Sequence, residues 1–192
     1  MKTVDTLGVV ESRSIAAGVA LADVMVKVAQ VELARAATIC SGRYLIFVTG
    51  DRQAVETAVE TARQSGRVLS GSFVISNISQ VVLGALRRSA PAEGPALGII
   101  ECRTVSSGIL AADRAVKRSA VQLARLVAGQ GIHGKSYFVL SGDVASVEEA
   151  AEAARDVLGR HLVEAVVIPR PAASVINALT GSARGIHEEA TH

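Results

Sequence analysis

Few side chains in this chain of 192 residues carry the chemistry of a reactive centre. The first is Cys40, in the stretch AATICSGRYLIFVTGD (36–51), between an apolar run and a serine–glycine pair. Thiolates are soft ligands that favour iron–sulfur clusters, zinc or copper(I). As an isolated feature, however, a lone cysteine in an apolar setting reads as a buried small hydrophobe. The other cysteine, Cys102, follows Glu101 inside the strand-like run ALGIIECR (96–103) and reads as structural. With two cysteines and no CxxC spacing there is no disulfide framework. His133 stands in the glycine-rich stretch GQGIHGKS (129–136), where an imidazole either ligates a metal or merely titrates. His161, His187 and His192 are scattered. No serine–histidine–acid cluster, phosphate-binding loop or usefully spaced carboxylate pair is present, so no catalytic residue is expected and the protein reads as a non-enzyme.

Composition narrows the alternatives. A net charge of +2 is too small for a nucleic-acid-binding surface, and 3% aromatic residues provide no stacking platform for single strands. Nucleic acid is not an expected partner. Although 49% of residues are apolar, charged residues interrupt every apolar run before the 18 or so positions a membrane span needs. Asp5 and Glu11 break the opening segment where a signal peptide would need an apolar stretch, so the expectation is a cytosolic protein with no membrane partner.

What must position Cys40 is a duplicated unit. LGVVESRSIAAGVALADVMVKVAQVELAR (7–35) aligns without gaps on LGIIECRTVSSGILAADRAVKRSAVQLAR (97–125). Identical pairs include Gly8/Gly98, Glu11/Glu101, Arg13/Arg103, Gly18/Gly108, Asp23/Asp113 and Lys27/Lys117. After a loop two residues longer in the second copy, the match resumes with Gly42/Gly134, Gly50/Gly142 and Asp51/Asp143. Between the copies, RRSAPAEGPA (87–96) holds two of the four prolines and reads as a linker. The expected domains are residues 1–88 and 95–183, ahead of a polar tail, GIHEEATH.

Each copy reads as β-α-β-β-α-β followed by a short helix, an α+β sandwich with its sheet covered on one face. The first helix (14–29 and 105–120) is alanine-rich and apolar on most sides, so it should be largely buried in both copies. The second helix carries the stripes Val55, Val59, Ala62 and Val147, Ala150, Ala151, Ala154. Ser146 with Glu149 has the spacing of a capping box at its start, and Gly66 or Gly159 stops it.

In order and spacing, LGVVE/LGIIE, ADVMVK/ADRAVK, the GD closing the third strand, and VIPRP (167–171) resemble the bacterial microcompartment shell proteins, in their tandem-domain, trimer-forming class. The likeness spans roughly residues 6–180. It is strongest to the T-type branch found in propanediol-utilisation microcompartments, through TICSGR and GIHGKS. The resemblance implies two ferredoxin-like microcompartment domains with antiparallel sheets covered by helices. It further implies a homotrimer forming a flat pseudohexameric tile, which packs with hexameric and pentameric shell proteins into a shell lying in the cytoplasm.

By the same resemblance the loop after the second strand lines a central pore. Ile39, Cys40, Ser41 and Gly42 carry over to it, alternating with Gly131, Ile132, His133 and Gly134. One cysteine per chain on a three-fold axis becomes three converging thiols. The branch resembled includes a member with a four-iron cluster there, so one 4Fe-4S cluster per trimer is the implied cofactor, held through Cys40 with one iron left to an exogenous ligand. Electron transfer across the shell, with an encapsulated redox enzyme as partner, is the function that follows. The alternative is an open pore conducting small polar metabolites, in which Cys40 is only a rim residue. The pore-loop glycines also serve simply as tight turns. A third reading, from another class, is a ligand-binding or regulatory protein reusing a duplicated ferredoxin-like fold.

The tile edge is the last implied site. Asp23 with Lys27 and Asp113 with Lys117 are i,i+4 pairs that suit ordinary helix-surface ion pairing. In the family this lysine meets its counterpart in the next tile, assisted by the arginine of PRP, here Arg170. The first copy has SNIS (76–79) where the second has IPRP (168–171), so one edge type is expected to lack the arginine.

Overall fold

The computed structural model describes residues 6–180, so the outermost bounds expected for the domains and the polar tail with His187 and His192 lie outside the described residues. In the first copy Thr6–Ser12 form β1, Ile15–Val28 α1, Glu32–Ile39 β2, Arg43–Gly50 β3, Arg52–Gln64 α2, Leu69–Ser76 β4 and Gln80–Ala85 α3. The second copy repeats the series with Ala96–Cys102 as β5, Val105–Arg118 as α4, Gln122–Ala128 as β6, Ser136–Gly142 as β7, Val144–Leu158 as α5, Leu162–Pro169 as β8 and Ala173–Thr180 as α6. Both sheets are antiparallel, in the orders β2-β3-β1-β4 and β6-β7-β5-β8, the ferredoxin-like arrangement. Among the described residues no helix is long and apolar enough to cross a membrane.

Short polar caps set the helix starts. Ser14 and Thr104 accept from the amides of Ala17 and Ser107 at the heads of α1 and α4. The capping box expected at Ser146 is not the start of its helix. Asp143 is the cap, accepting from the Ser146 amide at 2.9 Å and from its hydroxyl at 2.7 Å. A charged acceptor makes the stronger bond to an orphan amide, and Asp51 does the same for Ala54 at 3.0 Å in the first copy. Gly66 (φ 72°) lies just past α2, and Gly159 (φ 46°, ψ −120°) ends α5; both have a positive φ that favours glycine.

The two copies are packed differently. Val10, Ile46 and Val48 of the first sheet face α1 and α2, where they meet Leu21, Met25, Val55 and Val59. On the opposite face Leu7, Val9, Leu45, Phe47 and Ile75 join one cluster with Ile78 and Val82 at α3 and with Val105, Ile109 and Ala112 of α4. The first sheet is thus covered on both faces, not one, because the second copy's helix closes over it. Among the described residues the second sheet has no such cover beyond α6 and the linker: Leu97 and Val139 cluster with Ala92, Ile176 and Leu179, and Ile99 and Tyr137 stay only partly buried.

The expectation that the first helix is largely buried in both copies therefore holds for α4 alone. Val105 and Ile109 are 0% exposed and Leu123 is 3%, whereas their counterparts Ile15, Val19 and Leu33 are 41%, 51% and 46% exposed. Each full burial of such a side chain is worth about 1.5–3 kcal/mol, a gain the first copy's residues have not realised within one chain.

The linker is not a slack tether. The Ala90 amide donates to the Ala124 carbonyl at 2.7 Å, the Glu93 amide to Ser141 Oγ at 3.1 Å, and the Arg170 amide to the Pro95 carbonyl at 2.6 Å. The final strands also correct the alignment of the copies. Thr6 pairs with Ser76 and Ala96 with Pro169, so Asn77 (φ 52°), not Ile78, is the partner position of Arg170 (φ 50°).

Candidate functional site

The sequence around Cys40 cannot continue β2. Ser41 (φ 69°) and Gly42 (φ 68°) are both left-handed and turn the chain tightly into β3. The facing loop between β6 and β7 uses the same device at Gly129, Gly131, His133 and Gly134, with φ of 81°, 75°, 53° and 72°. A side chain at Gly129 would meet Val105 and Ile39 at 2.8 and 3.1 Å, so glycine there lets the two loops touch.

Within one chain these loops are bonded together. The Cys40 amide donates to the Gly129 carbonyl at 3.3 Å, and the Gly131 amide donates to Cys40 Sγ at 3.0 Å. Arg43 Nη1 reaches the Gly134 carbonyl at 3.4 Å. Ile39 is buried, Cys40 and Ile132 are half-buried, and Ser41, Gly42, Gly131 and His133 are exposed. The eight residues expected at one place are thus brought together as two adjoining loop tips, Gly134 lying buried behind them.

The donor set is one sulfur per chain. Among the described residues no group of three or more histidine, cysteine or acidic side chains converges. Cys102 is fully buried in β5, and burial, with Glu101 adding to it, pushes its thiol up to about 12. It is out of reach as a thiolate. One sulfur does not by itself make a metal site, and the bond to this sulfur within the chain comes from the Gly131 amide.

Behind the loops lies an ion pair that the motif reading left without a role. Glu11, fully buried, accepts from Arg43 Nη1 at 2.8 Å and from the amide and hydroxyl of Ser106 in the second copy, both at 3.2 Å. A buried carboxylate is tolerated when it is paired and hydrogen-bonded, and these three donors supply one ion pair and two further hydrogen bonds. Gly71 comes so close to Ser106 that any side chain there would collide with it. The second-copy pair, Lys135 with Glu101 at 2.8 Å, is 44% and 37% exposed and holds no second domain. The signal lay in the identical pair Glu11/Glu101: an acid inside an otherwise apolar strand requires a dedicated partner.

The expected edge residues show the same asymmetry. Asp23 and Lys27 pair at 2.7 Å with both side chains exposed. Asp113, 6% exposed, pairs with Lys117 at 2.6 Å and also accepts from the Ser79 amide at 2.8 Å, fastening α4 to the entry of α3. Lys117 Nζ lies 3.4 Å from the Ser76 carbonyl, next to Asn77. Arg170 is exposed at the end of β8.

Comparison with known proteins finds the same duplication. A family profile described as the BMC domain matches residues 6–78 and again 96–171. The chain is 41% identical over 169 residues to the bacterial microcompartment shell protein PduT of Citrobacter freundii, covering 86% of this chain and 92% of that one. A microcompartment protein of Desulfitobacterium hafniense superposes with a TM-score of 0.77 at 37% identity, over 90% of this chain and 98% of its own. A fused, permuted hexameric shell protein of the RMM microcompartment shares the fold at a TM-score of 0.57 and 24% identity, over 80% and 81% of the two chains.

Proposed function

The chain belongs to the BMC-domain family, with one domain in each half, and from that membership we propose that it is a structural tile of a bacterial microcompartment shell, not an enzyme. Three chains close into a pseudohexamer of six domains. The observation that carries this reading is the one-sided seam. Its first-copy half, β1 with Glu11 and β4, is covered by α4, while the outer side of α1, with Ile15 and Val19, and Leu33 of β2 are left exposed. The matching half at the other end, Ile99, Glu101 and Lys135, is left partly open. The two open halves are counterparts of the two closed ones, so each chain fits the next as its own copies fit one another. Such head-to-tail contacts form a closed ring when the rotation allows.

In that ring Ile39, Cys40, Ser41 and Gly42 line a pore with Gly131, Ile132, His133 and Gly134. Cys40 would hold a 4Fe-4S cluster with one sulfur per chain, three per ring, an exogenous ligand being needed to complete the set. When bound, the cluster supplies a one-electron couple at the shell wall, serving an encapsulated redox enzyme. The fit rests on two features of the chain: a half-buried soft sulfur with an amide donor aimed at it, and a donor set that other copies alone complete. Hexameric and pentameric shell proteins are its partners at the tile edges.

The test is the ultraviolet–visible and electron paramagnetic resonance spectrum, with iron and sulfide assays, of protein prepared without oxygen beside Cys40→Ser. One cluster per three chains, lost in the variant, is the expected result. Colourless trimers after anaerobic reconstitution would overturn the cluster and leave an open pore for small polar metabolites.

A further inference from the structure

At the seam between the copies a cavity of about 460 Å³ is lined by Arg13 and Arg43 from the first copy and by Arg103, His133, Lys135 and His161 from the second. Three guanidinium groups and one lysine ammonium share this one hollow. Two carboxylates touch the group, and both are engaged: Glu11 by Arg43 and Ser106, Glu101 by Lys135. Among the described residues the Arg103 side chain makes one hydrogen bond, its Nε donating to the Arg160 carbonyl at 3.1 Å, so its terminal amino groups are uncommitted. Among the described residues the Arg13 side chain has no hydrogen-bond or ion-pair partner. Arg13 and Arg103 occupy the same position in the two copies, one on each wall.

Arg43 and Lys135 are accounted for by the ion pairs of the seam, whereas among the described residues neither Arg13 nor Arg103 has a carboxylate partner. Uncompensated like charges held together repel one another, and a protein tolerates such a cluster where an anion offsets it. The guanidinium fork matches phosphate oxygens two at a time and is weakly hydrated. The amide of Ser106, at the head of α4, is already taken by Glu11, so the attraction comes from side chains and not from the helix end.

We propose that this seam cavity is a binding site for a phosphate-type oxyanion, free or as the phosphate group of a small metabolite, gripped between Arg13 and Arg103. Ser70, an uncharged residue with a hydroxyl, also lines the cavity. Both walls belong to one chain, so the site does not depend on ring closure or on the group at Cys40. Bound anion bridges the copies and stabilises the chain by mass action.

The experiment is calorimetric titration of the full chain with inorganic phosphate, and separately with glycerol 3-phosphate, at ionic strength held constant with sodium chloride. Saturable binding of either is expected; comparable affinities identify the free oxyanion as sufficient, and tighter ester binding identifies a phosphorylated metabolite. Arg13→Gln with Arg103→Gln should weaken binding by about tenfold or more, as charge-assisted bonds of this kind allow. Ser70→Glu, which places a carboxylate on the wall and leaves the arginines in place, should do the same. Arg35→Gln, on an exposed position of β2, should leave affinity unchanged. No saturable binding, equal affinity in the cavity variants, or an equal loss in Arg35→Gln would each overturn the site.

Discussion

Glu11 of the first copy accepts a hydrogen bond from the Ser106 amide of the second at 3.2 Å, while their counterparts differ: Glu101 keeps Lys135 and Ala16 is exposed. One chemical device therefore sits closed in the middle of the chain and open at its two ends. Removing the closed carboxylate leaves Arg43 and the Ser106 amide without their acceptor, and Glu11→Ala should cost about 3 kcal/mol in urea unfolding. Glu101→Ala removes a half-exposed pair and should cost the single chain less than about 1 kcal/mol. Its effect should appear in assembly instead, as a weaker trimer by light scattering. Equal losses of chain stability in the two variants would contradict the asymmetry.

Val19 tests ring closure from the apolar side. It is 51% exposed, and its counterpart Ile109 is fully buried against the first sheet. Val19→Asp should leave the melting temperature of the isolated chain nearly unchanged and yield monomers by size-exclusion chromatography. Intact trimers carrying the aspartate would show that α1 lies outside the interface.

The two cysteines should separate by reactivity. In cluster-free protein at pH 8, a disulfide reagent should titrate one thiol per native chain and two in denaturant. Cys40→Ser should abolish the native signal, because Cys102 is fully buried and its thiol stays protonated. Two fast thiols in the native chain would contradict the packing of β5.

Burial of Cys102 also has a pH consequence. Its thiol is pushed up to about 12 in the folded chain, whereas in the unfolded chain it ionises near the ordinary value of 9.0. The stabilisation is fully present below pH 9 and is lost as pH rises from there towards 12. Stability should fall by about 1.4 kcal/mol per pH unit within that window from this group. Cys102→Ala should flatten that alkaline slope in pH-dependent unfolding, even though the variant begins less stable from the space it leaves.

Lys27 and Lys117 should not be equivalent at the tile edge. Lys27→Ala removes a side chain that is 73% exposed and paired only with Asp23, so folding and trimers should persist while two-dimensional sheets, seen by electron microscopy, are lost. Lys117→Ala also frees Asp113, which holds the Ser79 amide, and should lower the melting temperature by a few degrees besides. Unchanged sheets in the double variant would remove both lysines from the edge.

The duplication, the ferredoxin-like order of elements and the family could be read from residue patterns, and the resemblance implied that the Cys40 loop and the Gly131–Gly134 loop lie together. These are local properties: hydrophobic period, glycine placement and matched pairs recur in each copy whatever the other copy does. The helix cap shows the limit even at short range, since Ser146 had the right spacing but Asp143 was the stronger acceptor. What the tertiary structure decided was inequality between near-identical halves. Two copies in one chain share a single internal seam, and that seam buries Val105, Ile109 and Glu11 while leaving Ile15, Val19 and Glu101 with open surface. The same closure drew Arg13 and Arg103, ninety positions apart, onto facing walls of one cavity. A one-dimensional pattern treats paired residues alike; the physical difference arises because only one of the two equivalent contacts can be made within the chain.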